Sequence, residues 1–137
     1  MRNWNRAKDW QDALARVVEK HSELPFEYGK SDCGQFAADA VQAVTGEDRL
    51  KEYRNYTTEI GAARVLKKAG CNDLGELFSK VFKEQKVVHA MRGDIGVVEY
   101  EGQICAGVFT GVGFASKGKF GLVFVEFRQI KRAFEVN

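Results

Sequence analysis

Pro25-Phe26-Glu27-Tyr28-Gly29-Lys30-Ser31-Asp32-Cys33-Gly34-Gln35-Phe36, running on to Gly46, puts a cysteine at the start of a helix. Cys33, Phe36, Ala37, Ala40, Val41 and Val44 recur at i, i+3, i+4, i+7, i+8 and i+11, one apolar stripe at helical period. Ser31 or Asp32 suits the N-cap and Gly46 an αL C-cap, so the spacing predicts a helix over 31–45 with Cys33 in its first turn. The unpaired N–H groups and positive dipole end there favour a thiolate, and Lys30 adds to that field. The alternative is that Cys33, as first member of the stripe, is a small buried hydrophobe.

Upstream, Trp10, Ala13, Leu14, Val17 and Val18 mark an amphipathic helix over about 6–21. His21 falls at its C-terminal end, where the dipole suits an imidazolium, and reads as a solvated capping residue. Pro25 ends that helix. Downstream, 47–56 is polar and aperiodic, a surface loop. Thr57 or Thr58 caps a helix that continues to about Ala69, closed by Gly70, with Ile60, Ala63 and Leu66 on its buried side. Asn72 or Asp73 caps another, with Leu74, Leu77, Phe78, Val81 and Phe82 at helical spacing.

After Lys86 the period changes to that of strands, at Ile95–Tyr100, Gln103–Thr110, 113–116 and 122–127, with turns at Glu101-Gly102 and Lys117-Gly118-Lys119. A last strand is expected over 133–136. Helices followed by a meander give an α+β domain, its N-terminal helices packed on one face of a C-terminal antiparallel sheet of at least four strands.

The chain has 137 residues, 45% hydrophobic and 29% charged, which suits one globular domain over 1–137. Lys plus Arg number 21 against 19 Asp plus Glu, so net charge gives no reason to expect a nucleic-acid partner. No apolar run approaches the roughly 20 residues of a membrane span, and the first residues lack the apolar core of a signal peptide. A cytoplasmic location is the expectation. Cys33, Cys71 and Cys105 are an odd count without CxxC or zinc-like spacing, so neither a disulfide framework nor a structural metal is expected, and no motif calls for a cofactor. The histidines are two, His21 and His89.

Pro25-Phe26-Glu27-Tyr28-Gly29 followed by Asp32-Cys33-Gly34-Gln35-Phe36 resembles the nucleophile segment of the NlpC-like cell-wall peptidases, papain-like enzymes. Their pattern has a Pro-Tyr-x-aromatic-Gly turn, then Asp-Cys-Ser-Gly opening a helix, then a Gly-Asp entering the hairpin that carries the catalytic histidine. Arg92-Gly93-Asp94-Ile95 matches that Gly-Asp. The resemblance covers most of the chain and is nearest to small phage and prophage proteins of that superfamily. It implies a papain-like architecture with Cys33 as nucleophile, the helix N-terminus and Cys33 N–H as oxyanion donors, and Phe26, Tyr28, Asp32 and Gly34 around it.

The chain departs from the pattern at the base. Where the family reads His-aliphatic-Gly, this sequence reads Cys105-Ala106-Gly107, so by that alignment Cys105 stands in the histidine's place, with its thiol facing Cys33. On the other reading Cys105 is a small core residue beside Phe109. Ser116 alone could serve as the third, orienting residue, Phe26 replaces the family's tyrosine, and His89 is the remaining candidate base. A thiol nucleophile without its base loses several orders of magnitude in rate. The expected role is therefore a non-catalytic tail, assembly or cell-wall-binding component, with a phage tail protein or peptidoglycan fragment as partner. The alternative is an active cysteine hydrolase of peptidoglycan peptides that uses Cys33.

Overall fold

The computed structural model describes residue 2 and residues 4–137. Its first half is helical, with α1 at Trp10–Glu23, α2 at Cys33–Thr45, α3 at Glu59–Lys68 and α4 at Leu74–Val81. Asp32, Thr58 and Asp73 each close the first turn of α2, α3 and α4 through a side-chain oxygen that accepts the backbone N–H three residues on. Gly46, at φ 79°, ends α2 in the left-handed conformation.

The strands follow: β1 Glu84–Gln85, β2 Ile95–Tyr100, β3 Gln103–Thr110, β4 Gly113–Gly118, β5 Gly121–Val125 and β6 Ile130–Phe134. They form one antiparallel sheet in the order β1-β6-β2-β3-β4-β5. The molecule is thus α+β, with four helices and six strands among the described residues. None of the described helices is long and apolar enough to cross a membrane.

Helix α2 is the centre of the core. Phe36, Ala37, Ala38, Ala40, Val41 and Val44 are all buried, lying between α1 and strands β3 and β4. Its alanines let the helix approach the sheet closely, while Phe36, Val41 and Val44 each contribute about 1.5–3 kcal/mol of burial. From the sheet, Ile95, Val97, Ala106, Val108, Ala115 and Phe134 meet the same core. A second cluster, Val98, Phe114 and Ile130, lies apart from it and takes in Cys105 and Phe109 at its margin.

Several expectations are corrected. Helix α3 has no buried residue, and Ile60 is 66% exposed, because the helix lies over the surface and its apolar face meets no second layer. Lys117 is the fifth residue of β4, a buried strand residue rather than part of a turn. The last strand begins earlier than expected, at Ile130, and β1 gave no signal because it is two residues long. Asp94 does more than shape a turn. Its carboxylate accepts from Arg2 (2.8 and 3.0 Å), Arg6 (3.0 Å), Gln85 (2.9 Å) and the N–H groups of Met91 (2.9 Å) and Val136 (3.0 Å). One buried carboxylate thereby ties both ends of the chain to the start of β2.

Candidate functional site

The turn before α2 is held by Gly29. At φ 88° it takes a conformation that side chains rarely adopt, and a Cβ there would lie 2.3 Å from the Tyr56 carbonyl oxygen. This contact brings the loop before α3 onto the start of α2. Asp32 then binds both sides of the junction: Oδ1 accepts from Gln35 N (2.8 Å) and from the Tyr56 hydroxyl (2.8 Å), and Oδ2 from Gly29 N (2.9 Å). Burial and the adjacent Asp32 charge push the Tyr56 phenol far above its usual range, so it remains a donor. A side chain at Gly34 would lie 3.1 Å from the Tyr56 oxygen, so glycine leaves that hydrogen bond undisturbed.

Cys33 is the first residue of α2 and lies against β3 where the sheet opens. Pairing of β3 with β4 ends at Gly107 opposite Ser116. Beyond that point the Ser116 hydroxyl donates to the Ala106 carbonyl (2.6 Å). Cys33 and Cys105 line the same cleft.

Their ionisation is shared. The hydrogen bond with Cys105 first, then burial, push the Cys33 thiol well above its ordinary value, and the Asp32 carboxylate adds to the effect. The same hydrogen bond from Cys33 draws Cys105 down to about 7. The two thiols titrate together, and the first proton leaves the pair more readily than it leaves an ordinary thiol.

Around the thiols is a cleft of about 850 Å³ between the helices and the sheet, lined in part by Phe26, Tyr28, Asp32, Gly34, Tyr53, Tyr56, Tyr100, Ser116 and Phe120. Phe26 and Tyr28 stack edge to face at 5.0 Å, and the Tyr28 hydroxyl donates to Glu59 (3.1 Å). Burial, then Glu59, push that phenol up to about 12. Ser116 is occupied by its bond to Ala106 and orients no imidazole.

Neither histidine lines the cleft. His89 ends an exposed 3₁₀ turn, Val87–His89, that packs near β6. His21 is 0% exposed, which corrects its reading as a solvated cap. Its Nδ1 lies 2.7 Å from the Ser31 hydroxyl and its Nε2 2.7 Å from Asp39 Oδ2. With Asp39 ionised, Nε2 donates to it, while Nδ1 shares a hydrogen bond with the Ser31 hydroxyl. The partners are those of a serine triad, but Ser31 is itself fully buried, so no substrate reaches its oxygen. The network is structural. Asp39 also takes Arg54, which donates from Nε to Gln35 (2.7 Å) and from Nη1 to Asp48 (3.1 Å). Burial pushes the Asp39 carboxyl up, but the hydrogen bonds from His21 and Arg54 outweigh it and hold Asp39 well below the usual range.

Sequence reasoning also missed Lys117. Its ammonium donates to the carbonyls of His21 (2.6 Å) and Leu24, closing the C-terminal end of α1 with a cation. Burial pulls it below its ordinary value. The described residues contain no cluster of three or more His, Cys, Asp or Glu able to hold a metal.

A family model described as a domain of unknown function, DUF6950, matches residues 5–136, and the chain belongs to that family. No curated protein and no solved structure matches it.

Proposed function

We propose that this DUF6950 chain is a papain-like domain of NlpC-like layout whose cleft binds and does not cut. In this reading it is a non-catalytic component of a phage or prophage tail that holds a cell-wall peptide. The observation that carries the reading is a cleft lined by both Cys33 and Cys105 and by neither histidine.

A cysteine hydrolase needs the negative charge on the nucleophile beside its oxyanion donors, and a base that returns the proton to the leaving amine. Here Cys33 stands at the helix N-terminus that would stabilise an oxyanion, but no histidine lines the cleft to act as that base. The cleft retains its aromatic lining and the fixed Asp32–Tyr56 contact, which suit a short peptide.

The test is titration of soluble muropeptides against the protein, with intact mass measured on the same samples. The reading predicts saturable binding, retained in Cys33→Ala, with no cleavage and no acyl adduct. Stoichiometric acylation of Cys33, or turnover abolished by Cys33→Ala, would establish the hydrolase instead.

A further inference from the structure

The two edges of the sheet are built differently. We propose that β5, at the open edge, pairs antiparallel with β5 of a second copy of this chain, joining two sheets about a two-fold axis at Val123. The proposal does not rest on peptide binding in the cleft.

At one edge β1 is two residues long, Glu84-Gln85, and is flanked by Lys83 and Lys86, the short charged form that keeps an edge from pairing. At the other edge β5 reads Gly121-Leu122-Val123-Phe124-Val125, with neither charge nor proline. Phe120 is fully exposed, and Val123, Phe124 and Phe127 are each about half exposed. Val123 and Phe124 point to opposite faces, so apolar surface borders the edge on both sides.

The backbone fixes which groups are open. The turn Lys119-Phe120 closes on the pair Gly118–Gly121, which in a two-residue hairpin is hydrogen-bonded. Alternation along the ladder then aims the backbone of Gly121, Val123 and Val125 at β4, and that of Leu122 and Phe124 outward. Among the described residues no strand, turn or loop gives these outward groups a backbone partner.

Leu122 and Phe124 are symmetric about Val123. With Val123 opposite Val123 of the second copy, each Leu122 meets a Phe124 in a hydrogen-bonded pair, and every outward N–H and C=O is satisfied. Sliding by one residue sets side chains on the wrong faces, and sliding by two leaves half of these groups unpaired, so the register is specified. The antiparallel sense also holds the two Lys119 side chains at opposite ends of the interface. Phe120, Phe124 and Phe127 expose the equivalent of about two phenylalanine side chains, on the order of 400 Å² per copy. Two copies thus cover roughly 800 Å² of side chain besides the strand edges, the size of a weak, concentration-dependent association.

The experiment is sedimentation equilibrium of the reduced full chain over a series of loading concentrations. The expected mass rises from one copy toward two. Val123→Lys sets two cations against each other on the axis and stays at one copy throughout, while still unfolding cooperatively. A second measurement is independent of how that variant folds. In Val123→Cys the introduced thiols meet at a non-hydrogen-bonded pair, where Cα atoms lie about 4.5 Å apart, within disulfide range. In a glutathione redox buffer this variant links through position 123, located by peptide mapping, whereas Leu122→Cys, which meets Phe124, does not link to itself. A wild type that is monomeric at every concentration would overturn the proposal and leave the edge to a strand of another protein. A dimer unchanged by Val123→Lys, or Leu122→Cys linking as fast as Val123→Cys, would overturn it as well. No ligand is present in either measurement, so the outcome is separate from whether muropeptides bind.

Discussion

Asp39 shows how much a single side chain carries here. It is 13% exposed, pairs with Arg54 and accepts from His21, so Asp39→Asn removes one of the two carboxylates that face the mostly buried Arg54 guanidinium. The expected cost is on the order of 3 kcal/mol, read as a fall in the urea midpoint at constant slope. The sign with pH follows from the depressed carboxyl: its contribution is complete above the ordinary Asp value and fades as pH falls below about 4. The variant's acid limb should therefore be flatter than that of the wild type. The thiol pair has a slope of the same sign in a higher pH window. Between about pH 7 and 9 the native pair holds fewer protons than the unfolded chain, so its contribution rises with pH; above that the raised Cys33 reverses the slope. Comparing Cys105→Ala with wild type in urea at pH 6.5 and 8.5 checks this. The wild-type advantage should be the larger at pH 8.5.

At the scale of elements, caps and periodicity were legible where local chemistry decides the structure. The Cys33 stripe, Asp32 and Gly46 specified α2 closely, because a helix N-terminus needs an acceptor and its C-terminus needs a left-handed residue. Asp32→Ala should cost α2 its cap and Tyr56 its acceptor, roughly 1–2 kcal/mol by thermal unfolding, whereas Thr58→Ala on the exposed α3 should cost less. What lay outside local reach was the partner of each face. The stripe of α3 predicted burial, but no layer covers it. His21 was read from its position at a helix end, although the residues that enclose it, Ser31, Phe36 and Asp39, come from a later segment. Lys117 sits in a Lys-Gly-Lys sequence that reads as a turn, and its role as a distant helix cap becomes visible only when β4 crosses the end of α1. The reason for Gly107 likewise appears only in the folded sheet, where a Cβ would lie 2.3 Å from the Phe114 ring.

For the whole molecule, the helices-then-sheet order was readable from the change of period after Lys86, and the sheet has six strands where at least four were expected. Closure of the chain on itself was not readable, since it depends on Asp94 gathering Arg2, Arg6 and Val136 from opposite ends. Asp94→Asn should lower the melting temperature by the largest margin of the substitutions discussed, on the order of 3–5 kcal/mol, because Arg6 remains buried without its counter-charge. The same assembly brings β3 to the start of α2, where Cys33 and Cys105 line one cleft that holds no histidine. Site-resolved alkylation of the native protein across pH 5 to 10 tests that claim most directly. The account predicts half-maximal labelling of Cys105 near pH 7, with Cys33 lagging at every neutral pH. Faster labelling of Cys33 than of Cys105 at pH 7 would contradict it.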